Sequence, residues 1–113
     1  MFDFCSIIDL DVHQGNGNAV LFQNNPSVFT FSMHCKSNYF SAIENSDLDI
    51  ELEQGICDEI YMRNLNGALP SLLDAVRPKL VFYQGKLDYF PLHYLIFFLL
   101  SLRVFLFSDL LPL

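Results

Sequence analysis

The sequence predicts an α/β domain with a mainly parallel sheet, and three observations carry that expectation. Short apolar runs rich in β-formers recur at Phe4–Val12, Val28–Met33 and Leu80–Tyr83. A long stretch with helical spacing separates the second run from the third, and the order strand, loop, strand, helix, strand is that of parallel strands joined by crossovers. With 113 residues and no internal repeat, the chain is one domain, near the lower end for burying a sizeable core.

Each element has its own local warrant. Cys5-Ser-Ile-Ile-Asp-Leu-Asp-Val12 reads as a buried strand running into the glycine loop His13-Gln-Gly-Asn-Gly17. Asn18–Phe22 is long enough for a short helical turn, and Asn24-Asn-Pro-Ser27 is a turn. Val28-Phe-Thr-Phe-Ser-Met33 is a second strand, followed by polar loop from His34 to Ser46. Asp47–Leu52 alternates strictly, as a half-exposed strand or an extended segment does. Asp58 is placed to cap a helix running through Ile60, Tyr61, Leu65, Leu69, Leu72, Leu73 and Val76, and Pro70 is expected to kink or split it. Arg77-Pro78 ends that helix, and Leu80–Tyr83 forms a third short strand.

Charge narrows the partners. Six Lys plus Arg stand against thirteen Asp plus Glu. The basic residues are scattered and give no footprint for phosphates, so direct nucleic-acid binding is not expected. Cys5, Cys35 and Cys57 are odd in number and lack a CxxC pair, which fits a reducing, intracellular compartment rather than a disulfide scaffold. The start Met1-Phe-Asp-Phe4 carries an acid where a secretory leader needs basic residues, so secretion is not expected. From Gly85 onward Phe and Leu dominate. His93 and Arg103 interrupt the apolar run, against a membrane span of about 20 apolar residues.

The unit that carries chemistry is Asp9-Leu-Asp11-Val-His13-Gln-Gly-Asn-Gly17. In a strand, residues two apart share a face, so Asp9, Asp11 and His13 are expected to project together. Two carboxylates and an imidazole closing an apolar strand are costly unless they bind a cation or one another. The carboxyl ends of strands are where open α/β sheets bind ligands. Oxygen and imidazole donors together suit a zinc ion with an open coordination position. The alternative is a solvated strand end at which Asp11 and His13 make ordinary turn contacts.

Ile8-Asp-Leu-Asp-Val-His-Gln-Gly-Asn-Gly17 resembles the zinc-ligand motif of the histone deacetylase family, whose domain is a three-layer α/β/α structure with the arginase–deacetylase fold. The glutamine after His13 is the variant of the bacterial-like and class IV branches. The resemblance continues, colinearly, through Pro26–His34, Ser46–Leu52, Ala68–Asp74 and Arg77–Gln84. It implies that Asp11 and His13 are two of three zinc ligands. It also implies a structural monovalent-cation site, for potassium, formed by Asp9, Asp11, His13, Ser32 and the Met33 carbonyl. Asp88 falls near the third zinc ligand, but the residues after it depart from the family pattern.

The family's paired histidines and its oxyanion tyrosine have no counterpart in these 113 residues, so no catalytic residue is assigned. The division that follows is 1–84 as a central deacetylase segment and 85–113 as a Phe/Leu-rich tail outside the family pattern. Translation into a T-rich intron gives such a composition. By resemblance the substrate is an acetyl-lysine peptide such as a histone tail, the process chromatin regulation, and the compartment the nucleus, cytoplasm or a plastid. Other deacetylase chains are further candidate partners. Two functions from different classes remain: zinc-dependent hydrolysis of acetyl-lysine amides, and a catalytically incomplete fragment that binds metal or partners, with an apolar tail able to meet a membrane.

Overall fold

The computed structural model describes residues 4–37, 43–85 and 106–108. Its core is a parallel α/β arrangement. Strands β1 (Cys5–Asp9), β2 (Val28–Cys35), β3 (Leu48–Leu52), β4 (Leu80–Gln84) and β5 (Leu106–Ser108) form one five-stranded sheet in the order β3-β2-β1-β4-β5. Every pairing is parallel. Helix α1 (Asn16–Leu21) links β1 to β2, and α2 (Asp58–Val76) links β3 to β4. The chain moves outward from β1 through β2 to β3, then returns to β1's other side as β4. The carboxyl end of β1 therefore lies where the strand order reverses, the place at which α/β sheets open a crevice for ligands.

One face of the sheet is apolar and α2 covers it. Ile8, Leu10, Phe31, Met33, Leu52, Val81 and Tyr83 pack with Leu65, Leu69, Leu72 and Leu73 in a single cluster. The four leucines fall at i, i+4, i+7 and i+8 of α2, one stripe of a 3.6-residue helix. The opposite face turns polar at the carboxyl ends of the strands, beyond the buried Ile7. Asp9 sits in register with Ser32 on one side and Gln84 on the other, and Ser32 with Asp49. Asp9, Ser32 and His34 are all buried there.

Three local expectations are revised. Strand β1 ends at Asp9 rather than continuing to Val12. The carboxylate of Asp9 accepts the Asp11 N–H and that of Asp11 accepts the His13 N–H, both at 2.9 Å, so side chains take the place of the ladder. Helix α2 is capped by Cys57, with Asp58 as its first residue, where its charge faces the positive end of the helix dipole. The helix also runs through Pro70 without a break over 19 residues. The pyrrolidine there costs one backbone bond, whereas flanking Leu69, Leu72 and Leu73 keep both halves pressed on the sheet. At its end Arg77 adopts φ 50°, ψ 54° and donates its N–H to the Leu73 carbonyl at 2.9 Å, the left-handed turn that stops a helix.

Within the tail, 106–108 adds β5 beside β4. No described helix is long and apolar enough to cross a membrane.

Packing sets the expected response to substitution in α2. Leu69 is 1% exposed, and Leu69→Ala should cost about 3 kcal/mol through lost burial and a residual cavity. Pro70→Ala should raise stability by about 1 kcal/mol, since it restores a helix donor. Urea midpoints of the two variants check both. A Pro70→Ala midpoint below the parent's would show that the proline serves the packing.

Candidate metal centre at the end of strand β1

Asp9 anchors the site. It is 3% exposed, and burial is the main reason its carboxyl is pushed up to about 6. The Asp11 backbone N–H opposes that rise and the Asp11 charge adds to it. The chain folds back onto this carboxylate at Gly15. A Cβ added there would stand 2.5 Å from Asp9 Oδ2 and 3.1 Å from its Cγ, so only glycine lets the loop approach so closely. Gly15 donates its N–H to Ser32 Oγ at 3.1 Å, and the same hydroxyl lies 2.9 Å from His34 Nδ1.

Beyond Asp9 the two Asx turns carry Asp11 and His13 past the sheet edge. His13 Nδ1 lies 3.3 Å from Asp11 Oδ1, and both side chains are partly open to solvent. Asp11 and His13 thus stand together, placed by turns rather than by the strand face expected to carry them with Asp9. Ser32 faces the same corner through Gly15, and Met33 is buried on the apolar side of β2 with Phe31. Asp88 lies outside the described residues.

The donors present fit a zinc ion in part. Two ligands about 2.0–2.1 Å from a tetrahedral ion stand about 3.3 Å apart, which matches the His13–Asp11 separation. Among the described residues no group of three or more His, Cys, Asp or Glu side chains is arranged to hold a metal. Asp11 and His13 therefore supply two donors at a spacing that suits such an ion, and no third joins them among the described residues. A cavity of about 480 Å³ lies at the other end of the sheet, between Phe4, Pro26, Phe29, Asp47 and Val76, away from these ligands.

Sequence reasoning assigned no role to Gln14 beyond marking a family branch. Its buried carboxamide donates from Nε2 to the Glu44 carbonyl and to Asp49 Oδ1 (3.2 Å), and accepts the Glu44 N–H at Oε1 (2.8 Å). These partners lie 30 and 35 residues away. The only signal in the sequence was an amide side chain between His13 and a glycine.

With the motif, its turns and its position at the switch of the sheet in place, comparison with known proteins decides the family. The histone deacetylase domain matches residues 3–91, most of the chain. The chain belongs to the histone deacetylase family. It is similar to an uncharacterised protein of Picosynechococcus sp., 51% identical over 82 residues, covering 73% of this chain and 27% of that protein. It is also similar to Histone deacetylase 2 of Arabidopsis thaliana, 32% identical over 85 residues, covering 73% of this chain and 22% of that one. The chain spans about a quarter of the length of the curated relatives it matches. In this deacetylase-family chain the Asp9–Gly15 corner described above lies within the matched region.

Two consequences are measurable. Gly15→Ala forces a methyl group into a buried carboxylate and should cost about 2 kcal/mol or more in denaturation midpoint; an unchanged midpoint would show that Asp9 moves aside freely. The second concerns pH. Burial raises the Asp9 carboxyl from 3.8 to about 6, so in chelated buffer this group lowers stability as pH rises from about 4 to about 6. Burial lowers the His34 imidazole below 6.5, against the pull of Asp49 and Glu51, so it lowers stability as pH falls below 6.5. The two oppose each other between pH 5 and 6. Asp9→Asn removes the first, and the variant should lose stability from pH 7 to 5.5 more steeply than the parent. Parallel slopes in urea titrations at the two pH values would contradict this.

Proposed function

We propose that this chain is the metal-binding segment of a protein-lysine deacetylase domain and that Asp11 and His13 are its zinc ligands. The observation that carries the proposal is the 3.3 Å approach of His13 Nδ1 to Asp11 Oδ1 at the carboxyl end of the central strand. Family membership supports the substrate class, an acetylated protein. A zinc ion held there would polarise an acyl carbonyl and acidify a bound water. Around it the chain's own residues act as supports. Asp9 and Ser32 lie beneath the ligand loop, where a monovalent cation such as potassium would offset the buried carboxylate charge. Asp11 Oδ1 also fixes the His13 backbone. Gly15 closes the loop over Asp9.

Hydrolysis needs groups beyond these. The three histidines of the sequence, His13, His34 and His93, include no adjacent pair, and His34 is buried against Ser32. On this reading the 113-residue chain binds zinc weakly and turns over no acetyl-lysine peptide alone. Losing members of a catalytic unit costs orders of magnitude in rate. The proposed setting is the nucleus, cytoplasm or a plastid, in contact with chromatin-type acetylated substrates or with other deacetylase chains.

The test is a zinc titration of the purified chain by calorimetry, beside an acetyl-lysine peptide assay with and without chelator. Zinc uptake abolished by His13→Ala, with no turnover above a metal blank, is expected. Uptake unchanged in His13→Ala would remove the ligand assignment, and chelator-sensitive turnover lost in that variant would show that the chain is itself a deacetylase.

A further inference from the structure

Gln14 has no part in the ligand set, yet it is among the most tightly held polar side chains near it. It is 4% exposed. Its carboxamide pairs with the backbone of Glu44 in both directions, by donating to the carbonyl and accepting from the N–H, as one strand residue pairs with another. The remaining Nε2 hydrogen reaches Asp49 Oδ1, and Asp49 Oδ2 in turn accepts the Ser46 N–H at 2.9 Å. One side chain thus ties three things together: the loop after β1, the segment 43–46 and the start of β3. The geometry is specific to an amide. A carboxylate of the same size would accept from Glu44 N–H but face the Glu44 carbonyl and the Asp49 carboxylate with no hydrogen to give.

The loop held in this way is short. Gln14 lies between His13, the ligand whose ring touches Asp11, and Gly15, which rests on Asp9. The Asp11 carboxylate holds the His13 N–H from one side. On the other side of His13, Gln14 is itself anchored to Glu44.

We infer that Gln14 is a positioning residue for the metal centre: its carboxamide clamps segment 43–46 onto the ligand loop and thereby fixes where His13 stands. This rests on the proposed role of Asp11 and His13, but the clamp is measurable without any metal.

The experiment is amide exchange and side-chain NMR on the 113-residue chain in chelator, for the parent, Gln14→Ala and Gln14→Glu. Both variants should free the Glu44 amide, which should exchange about tenfold faster, whereas Phe31 and Met33 in β2 keep the parent rate. The His13 ring resonances should shift in both variants. Gln14→Glu keeps the volume of the side chain and separates packing from hydrogen bonding. The inference is overturned if Gln14→Glu behaves as the parent, if all amides quicken together, or if the Glu44 amide is freed while His13 does not move. A zinc titration of the same proteins adds the link to function. With the clamp confirmed, a loss of zinc affinity of about tenfold in Gln14→Ala supports the inference, and an unchanged affinity overturns it. A parent chain that takes up no zinc defeats the ligand proposal instead, and the exchange and His13 results still decide the clamp.

Discussion

A carboxylate buried at the end of the central strand is the constraint on which the rest of this structure depends. Asp9 is almost wholly removed from water, in a position flanked by β2 and β4. A charge there is costly unless the surroundings answer it. What answers it is local. The Asp11 N–H binds Oδ1, and the chain turns sharply enough that Gly15 rests on the same group. The turn takes Asp11 and His13 out of the sheet plane and sets them side by side. Gly15 then donates to Ser32, so the hydroxyl in register with Asp9 on β2 closes the circuit. Removing the charge from Asp9 would leave each bond possible but none required.

The two faces of the sheet divide the labour. Face one is a hydrophobic layer under α2, where Ile8, Phe31 and Leu69 are each 1% exposed and belong to the cluster that holds the strands together. Face two carries a row of polar side chains across the register, Asp49, Ser32, Asp9 and Gln84, with His34 and Thr30 to either side. Most members of this row are hydrogen-bonded, while the buried His34 Nε2 has no partner among the described residues. Ser32 pairs with His34 and Gly15, Thr30 with Asp47, Asp49 with Gln14 and Ser46, and Gln84 with Asn18. The leucine layer and the polar row are thus held by different contacts on opposite faces of the sheet.

Much of this was legible in the sequence, for physical reasons that differ by element. Runs such as Cys5-Ser-Ile-Ile and Val28-Phe-Thr-Phe declare strands because their side chains suit nothing else, and the leucine spacing of α2 declares its buried stripe. Asp9, Asp11 and His13 stood out because charge at the end of an apolar strand demands an explanation. Pro70 misled because its local penalty is real, and only the packing of the leucines around it shows that the helix absorbs the loss. The end of β1 was misplaced because side chains of the motif itself compete for the backbone donors. Gln14 was invisible in role because all its partners lie 30 or more residues away, beyond any spacing rule. Asp88 and the 85–113 tail lie outside the described residues, apart from Gly85 and β5.

The His13–Asp11 contact is the last point that bears on function. As an ion pair it is weak, because both groups are partly exposed and such pairs contribute only about 0–1 kcal/mol. The fold does not need it: β1 is already held on both sides, and the loop is fixed by Gly15 on Asp9 and by Gln14 on Glu44. An imidazole nitrogen and a carboxylate oxygen held 3.3 Å apart, at the switch point of a parallel sheet, thus have little stabilising purpose and a separation suited to sharing a small divalent cation. Two protein donors bind such an ion weakly unless a third joins them. On the proposed reading, this loop supplies two donors of a metal centre, and its rigidity comes from Asp9, Gly15 and Gln14.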